Sequence, residues 1–124
     1  MKRHDIREHI VFALYQHLLL DKDLHLCFED NFEQISNNKY ALDILNDLDH
    51  NIEKYKENIN NLLVNWTFDR LNLIDQAILL VAVSELNIKE TSKAIIIDEA
   101  ILISKEYSEE EAYKYINGVL DKYE

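Results

Sequence analysis

The sequence predicts an all-α fold of six or seven helices, and three observations carry that prediction. Every long apolar pattern in the chain repeats with helical period. No segment alternates apolar and polar residues as a half-buried strand would; "KAIIID" passes as a β run alone, but its continuation through "EAILISKEY" favours helix by length. Proline is absent and glycine occurs once, at Gly118, so helix breakers are nearly missing and the turns must use other residue types.

From Ile6 to Leu20, Ile6, Ile10, Ala13, Leu14 and Leu18 line one face, while Val11, Phe12, Tyr15 and Leu19 add apolar surface elsewhere. A helix apolar nearly all round is expected to be buried. "DKD" at 21–23 reads as a turn, and a short, weaker helix is expected from about Leu24 to Ile35, ending near "SNN". Ala41, Leu45, Leu48, Ile52, Tyr55, Ile59 and Leu62 then recur at alternating intervals of four and three, a 3.5-residue stripe. The stripe suits a coiled-coil seam, but one long helix lying along a bundle is the better reading, because apolar helices on both sides need a partner surface. Asn72 with Asp75 reads as an N-cap and acidic first turn before the apolar run 74–86. "NIKETS" breaks that helix, and Ser92 is placed to cap the next. "KAIIIDEAILISK" is apolar on almost every side and is expected to be the central helix. Ser108 with Glu111 fits a capping box opening the last helix, whose buried stripe would be Ala112, Ile116, Val119, Leu120 and Tyr123.

At 124 residues, with 48% hydrophobic and 30% charged residues, the chain reads as one globular domain over 1–124 that can bury a core without staples. Cys27 is the only cysteine, which excludes an internal disulfide and suits a reducing cytoplasm. The opening "MKRHDIREHIVFALYQHLLL" is not expected to be a signal peptide, since Arg7, Glu8, His9 and His17 interrupt its apolar run. No stretch reaches the roughly 18 uninterrupted apolar residues of a membrane span. The formal net charge of −11 argues against a large nucleic-acid surface, yet it is unevenly spread. Residues 1–20 hold Lys2, Arg3 and Arg7 against Asp5 and Glu8, a mildly basic tip on an acidic body.

Three segments then fall in a telling order: "RLNLIDQAILLVAVSEL" (70–86), "IIIDEAILISKEY" (95–107) and "KYINGVLDK" (114–122). Together they resemble the second half of the NusB family of bacterial transcription antitermination factors, and "REHIVFALYQ" (7–16) looks like that family's first helix. The resemblance implies an all-helical fold of two packed sub-bundles, about 1–64 and 65–124. It implies a partnership with the ribosomal protein NusE, and binding of the pair to boxA RNA of nascent ribosomal RNA within the RNA polymerase antitermination complex. Self-association into a homodimer is compatible with it.

Candidate functional residues follow from both sources. Lys2, Arg3 and Arg7 sit at the positive end of a helix dipole, where anions are the stabilising choice, so their presence asks for another explanation. Arg3 and Arg7, one turn apart, could grip successive phosphates with the free backbone N–H groups; a frayed, solvated terminus is the plain alternative. The resemblance places Lys89 and Lys93, around the loop before the "KAIIID" helix, near RNA, and Glu85 at the protein-partner side. On a helical wheel Gly118 falls away from the apolar stripe, among Lys114, Asp121 and Lys122. Lys114 and Lys122 are expected to serve RNA, and Gly118 and Asp121 a partner. Asp98 and Glu99 cannot act as a catalytic pair, since helical neighbours point about 100° apart; structural pairing with a cation such as Arg70 is expected instead. Five histidines show no metal-ligand spacing, Cys27 has no nucleophile context, and no cofactor fingerprint appears. The chain is expected to be a non-enzyme without cofactors: an RNA-binding antitermination factor or, alternatively, a protein-only adaptor of the same fold. The leading domain of an rRNA cytosine methyltransferase is a third option, for which this length leaves no room beside a methyl-donor domain.

Overall fold

The computed structural model describes all residues, 1–124, as six α-helices and two short 3₁₀ turns. The helices are α1 (Arg3–Leu20), α2 (Leu24–Asn31), α3 (Lys39–Leu62), α4 (Leu73–Ile88), α5 (Lys93–Tyr107) and α6 (Ala112–Lys122). The 3₁₀ turns, Glu33–Ile35 and Phe68–Arg70, lead into α3 and α4. The 3.5-residue stripe forms one 24-residue helix whose Ala41, Leu45, Leu48, Tyr55 and Ile59 are buried against the bundle.

The central helix is α4, not α5 as the apolar count suggested. Every residue from Asp75 to Glu85 is buried, and α4 packs on α1, α3, α5 and α6. Helix α5 covers one side of α4 through Ile96, Ala100 and Ile103, and leaves Ile95 and Leu102, two turns apart on the opposite face, 51% and 55% exposed. One continuous cluster of buried side chains runs from Ile6 to Leu120.

With a single glycine, three side-chain-bearing residues take the left-handed backbone positions: Asp21 (φ 54°), Asn65 (φ 66°) and Lys89 (φ 65°). Asp21 and Lys89 end α1 and α4, the role glycine usually fills at a helix C-terminus. Asp23, Asn38 and Ser92 cap α2, α3 and α5 by accepting from Leu26 N, Ala41 N and Ile95 N.

Asn72 stands at the N-cap of α4 with Asp75 in the first turn, as expected, although its side chain makes no cap hydrogen bond; the Ser108–Glu111 box does not form. Ser108 instead donates its hydroxyl to Asp75 Oδ1 at 2.6 Å. Asp75 is 1% exposed, and a carboxylate at that depth needs donors more than a solvated helix end does.

Candidate nucleic-acid and partner interface

The basic tip divides into an outer and an inner part. Lys2 and Arg3 are exposed, and no side chain caps the start of α1, so its first backbone N–H groups remain open beside them. The Arg3 guanidinium lies over the Tyr40 ring at 4.5 Å, which gives that long side chain a fixed platform.

Arg7 does not belong to the phosphate-facing set. It is 4% exposed and donates through Nε and Nη2 to Glu85 Oε2 and Oε1 at 2.6 and 2.9 Å. Burial works against its charge, but the Glu85 carboxylate outweighs that, and the guanidinium is held above its ordinary pKa. Glu85 is likewise not a surface contact. It is 3% exposed and also accepts from Tyr40 OH at 2.5 Å, so both candidates are consumed in a buried bridge joining α1, α3 and α4. The expected Arg70 partner for Glu99 is corrected as well. Glu99 meets His4 and lies 3.6 Å from Arg7 Nη1, whereas Arg70 is exposed. Asp98 points to solvent and needs no partner.

At the opposite end of α5, Lys93 donates to the carbonyls of Asp121 and Tyr123, both at 3.0 Å, and so caps the end of α6. Lys93, Asp121 and Lys122 are thereby gathered at one corner, with exposed Lys89 in the preceding loop. A Cβ added at Gly118 would meet nothing within 4 Å, so the glycine lies on an open face and no helix of this chain packs against it. Lys114 stands apart, near the start of α6, paired with Glu111.

That start of α6 forms a groove the sequence reading missed. A cleft of about 390 Å³ lies between the Phe68–Arg70 turn and α6, lined by Trp66, Arg70, Leu71, Asn72, Ala112, Lys114 and Tyr115 together with the carboxylates Glu109 and Glu111. Trp66 is 54% exposed and stacks near Tyr115, with ring centroids 6.4 Å apart and planes 23° from parallel. Tyr115 is anchored from beneath, its hydroxyl donating to Asp75; burial and that bond push the phenol pKa up. A second cleft, of about 410 Å³ and bordered by Tyr15, Ile74 and Tyr107, adjoins the first through Asn72 and Glu109. The first cleft's charges balance, Arg70 and Lys114 against Glu109 and Glu111, so it is the open aromatic faces that suit stacking of unpaired bases. The signal was present in "NWTFDR": a tryptophan in a polar turn, with an arginine four residues on, has no core to enter.

No group of three or more His, Cys, Asp or Glu side chains is placed to hold a metal ion. Cys27 is buried, which pushes its thiol pKa up. No helix is long and apolar enough to cross a membrane.

The comparisons point one way. A model of the NusB family matches residues 4–124. Transcription antitermination protein NusB of Campylobacter lari is 39% identical over 124 residues, covering 97% of this chain and 93% of the relative. Among solved structures, T. maritima NusB superposes with a TM-score of 0.88 at 30% identity, covering 98% of this chain and 89% of that one. A crystal structure of antitermination factors NusB and NusE in complex with dsRNA matches with a TM-score of 0.83 at 26% identity, over 98% and 96% of the two chains.

Proposed function

Because the chain belongs to the NusB family, we propose that it is an RNA-binding transcription antitermination factor, which joins NusE and engages boxA RNA of nascent ribosomal transcripts. It acts as a binding factor rather than an enzyme, in the cytoplasm, as one unit in which α4 ties α1 and α3 to α5 and α6. The observation that carries the RNA reading beyond kinship is the exposed Trp66 stacked near Tyr115, in a groove with Arg70 on its rim. An acidic protein with a shallow basic tip cannot hold RNA by charge alone; stacking supplies what the missing phosphate contacts do not.

Lys2 and Arg3 would hold phosphates at the start of α1, with Lys89 and Lys122 as peripheral contacts. Gly118 and Asp121 would face the protein partner, whose basic character suits the acidic body. The test is RNA binding to the chain with and without NusE over a salt series. Single-stranded RNA held by about three phosphate contacts gives a log–log salt slope near −2. Trp66→Ala should weaken binding at every salt concentration without changing that slope, and Arg3→Ala should flatten it. Binding that ignores both substitutions would favour the protein-only adaptor.

A further inference from the structure

The first turn of α1 carries a histidine with no free ring nitrogen. His4 Nδ1 meets Glu99 Oε2 on α5, and His4 Nε2 lies 3.1 Å from Glu8 Oε1, one turn along α1. A neutral imidazole has one N–H and one lone pair, so one of its nitrogens would face a carboxylate oxygen with nothing to donate. Only the imidazolium donates to both.

The surrounding charges need that proton. Glu8 also accepts from Tyr107 OH of α5 at 2.7 Å, and Asp5 lies on the same turn of α1. Arg7 approaches Glu99 at 3.6 Å, but its two close hydrogen bonds go to Glu85 of α4, which also takes Tyr40 OH of α3. Against Glu8, Glu99, Asp5 and Glu85, Arg7 is the one buried cation. The hydrogen bond to Glu99, opposed by burial and aided by the Glu99, Glu8 and Asp5 charges, raises the His4 pKa above its ordinary 6.5.

We propose that His4 is a positioning residue for anion binding at the tip: donating to Glu8 and Glu99 at once, it seats the first turn of α1 on α5 and fixes where Lys2 and Arg3 present their charge. The proposal rests on reading that tip as an RNA contact. It makes RNA affinity proton-linked in a protein whose other phosphate contacts, arginine and lysine, keep their charge through neutral pH. Loss of the proton leaves Glu8 and Glu99 facing a neutral ring, and the first turn loosens from α5.

The experiment uses the full chain with NusE and a boxA RNA oligonucleotide, at fixed ionic strength, from about pH 6 to about pH 8.5. Wild-type affinity should fall roughly three- to tenfold across that range, whereas His4→Gln should be weak and flat throughout. Arg3→Ala should be weaker at both ends while keeping the slope. Glu99→Gln gives opposite signs for the two explanations. A pure field effect strengthens RNA binding when a negative charge is removed; loss of the His4 anchor weakens it. The His4 ring, followed by NMR in the free protein, should titrate above 6.5 and move back toward that value in Glu99→Gln. A ring that titrates at or below 6.5, a His4→Gln variant with the wild-type pH slope, or tighter binding by Glu99→Gln each overturns the proposal. An Arg3→Ala variant that binds like wild type sinks the RNA reading of the tip and the positioning role with it, and the ring titration shows which of the two was at fault.

Discussion

Arg7 shows how much one side chain's role depends on residues far from it in sequence. Its spacing from Arg3 suggested a phosphate clamp, but its partner Glu85 is 78 positions away and no local pattern announces the pair. Breaking a buried pair from one side leaves an uncompensated charge, so Arg7→Ala should lower unfolding free energy by about 3–5 kcal/mol in urea titrations. Trp66→Ala should do the reverse: a half-exposed ring contributes little to the core, so the melting temperature should barely move. RNA affinity should drop by about 1–3 kcal/mol per lost stacked base, read by calorimetry or anisotropy. Gly118 was legible in part. The wheel placed it on an outer face, and the structure leaves that face open. Its backbone is helical and its missing Cβ would touch nothing. Gly118→Ala should therefore stabilise the chain by about 0.5–1 kcal/mol, and a bulkier Gly118→Leu should weaken NusE binding if a partner's backbone approaches there.

Among the helices, what could be read from sequence was whatever is decided within a turn or two. The α3 stripe, the Ser92 cap and the DKD turn are local matters of period and side-chain reach, and they appear where the pattern put them. The ranking of α4 against α5 was not legible, because both are apolar nearly all round; which one is enclosed depends on where α1, α3 and α6 settle. The Ser108 box failed because a buried acceptor on α4 outcompeted a local backbone N–H. The C-terminus of α4 offers a prediction of its own. Lys89 holds φ 65° at a position where glycine has no Cβ penalty. Lys89→Gly should raise stability by about 1 kcal/mol in thermal or urea unfolding, while any loss of RNA affinity in the same variant would measure the lysine's charge.

Across the molecule, the fold was readable because composition, period and breaker content agree on helices. The binding surfaces were only half readable, because they are assembled from distant segments such as Trp66 with Tyr115 and Lys93 with the end of α6. The His4 bridge also sets the stability profile. Its folded pKa lies above 6.5, so its contribution is fully present below that value and is lost as pH rises through the folded pKa. Unfolding midpoints should therefore decline as pH rises above 6.5, and His4→Gln should remove that decline.

Helix α4 carries a further consequence, for the order of events in folding. Its two buried carboxylates face opposite ways along the chain: Glu85 waits for Arg7 and Tyr40 upstream, Asp75 for Ser108 and Tyr115 downstream. During synthesis the upstream partners are already available when α4 emerges, but Asp75 gains its first donor only with Ser108 and its second only with Tyr115. The last helix then completes the donors that α4 needs and acts as a latch on the molecule. Amide exchange should show it, with the cores of α1 and α6 opening in the same slow event although they stand at opposite ends of the sequence.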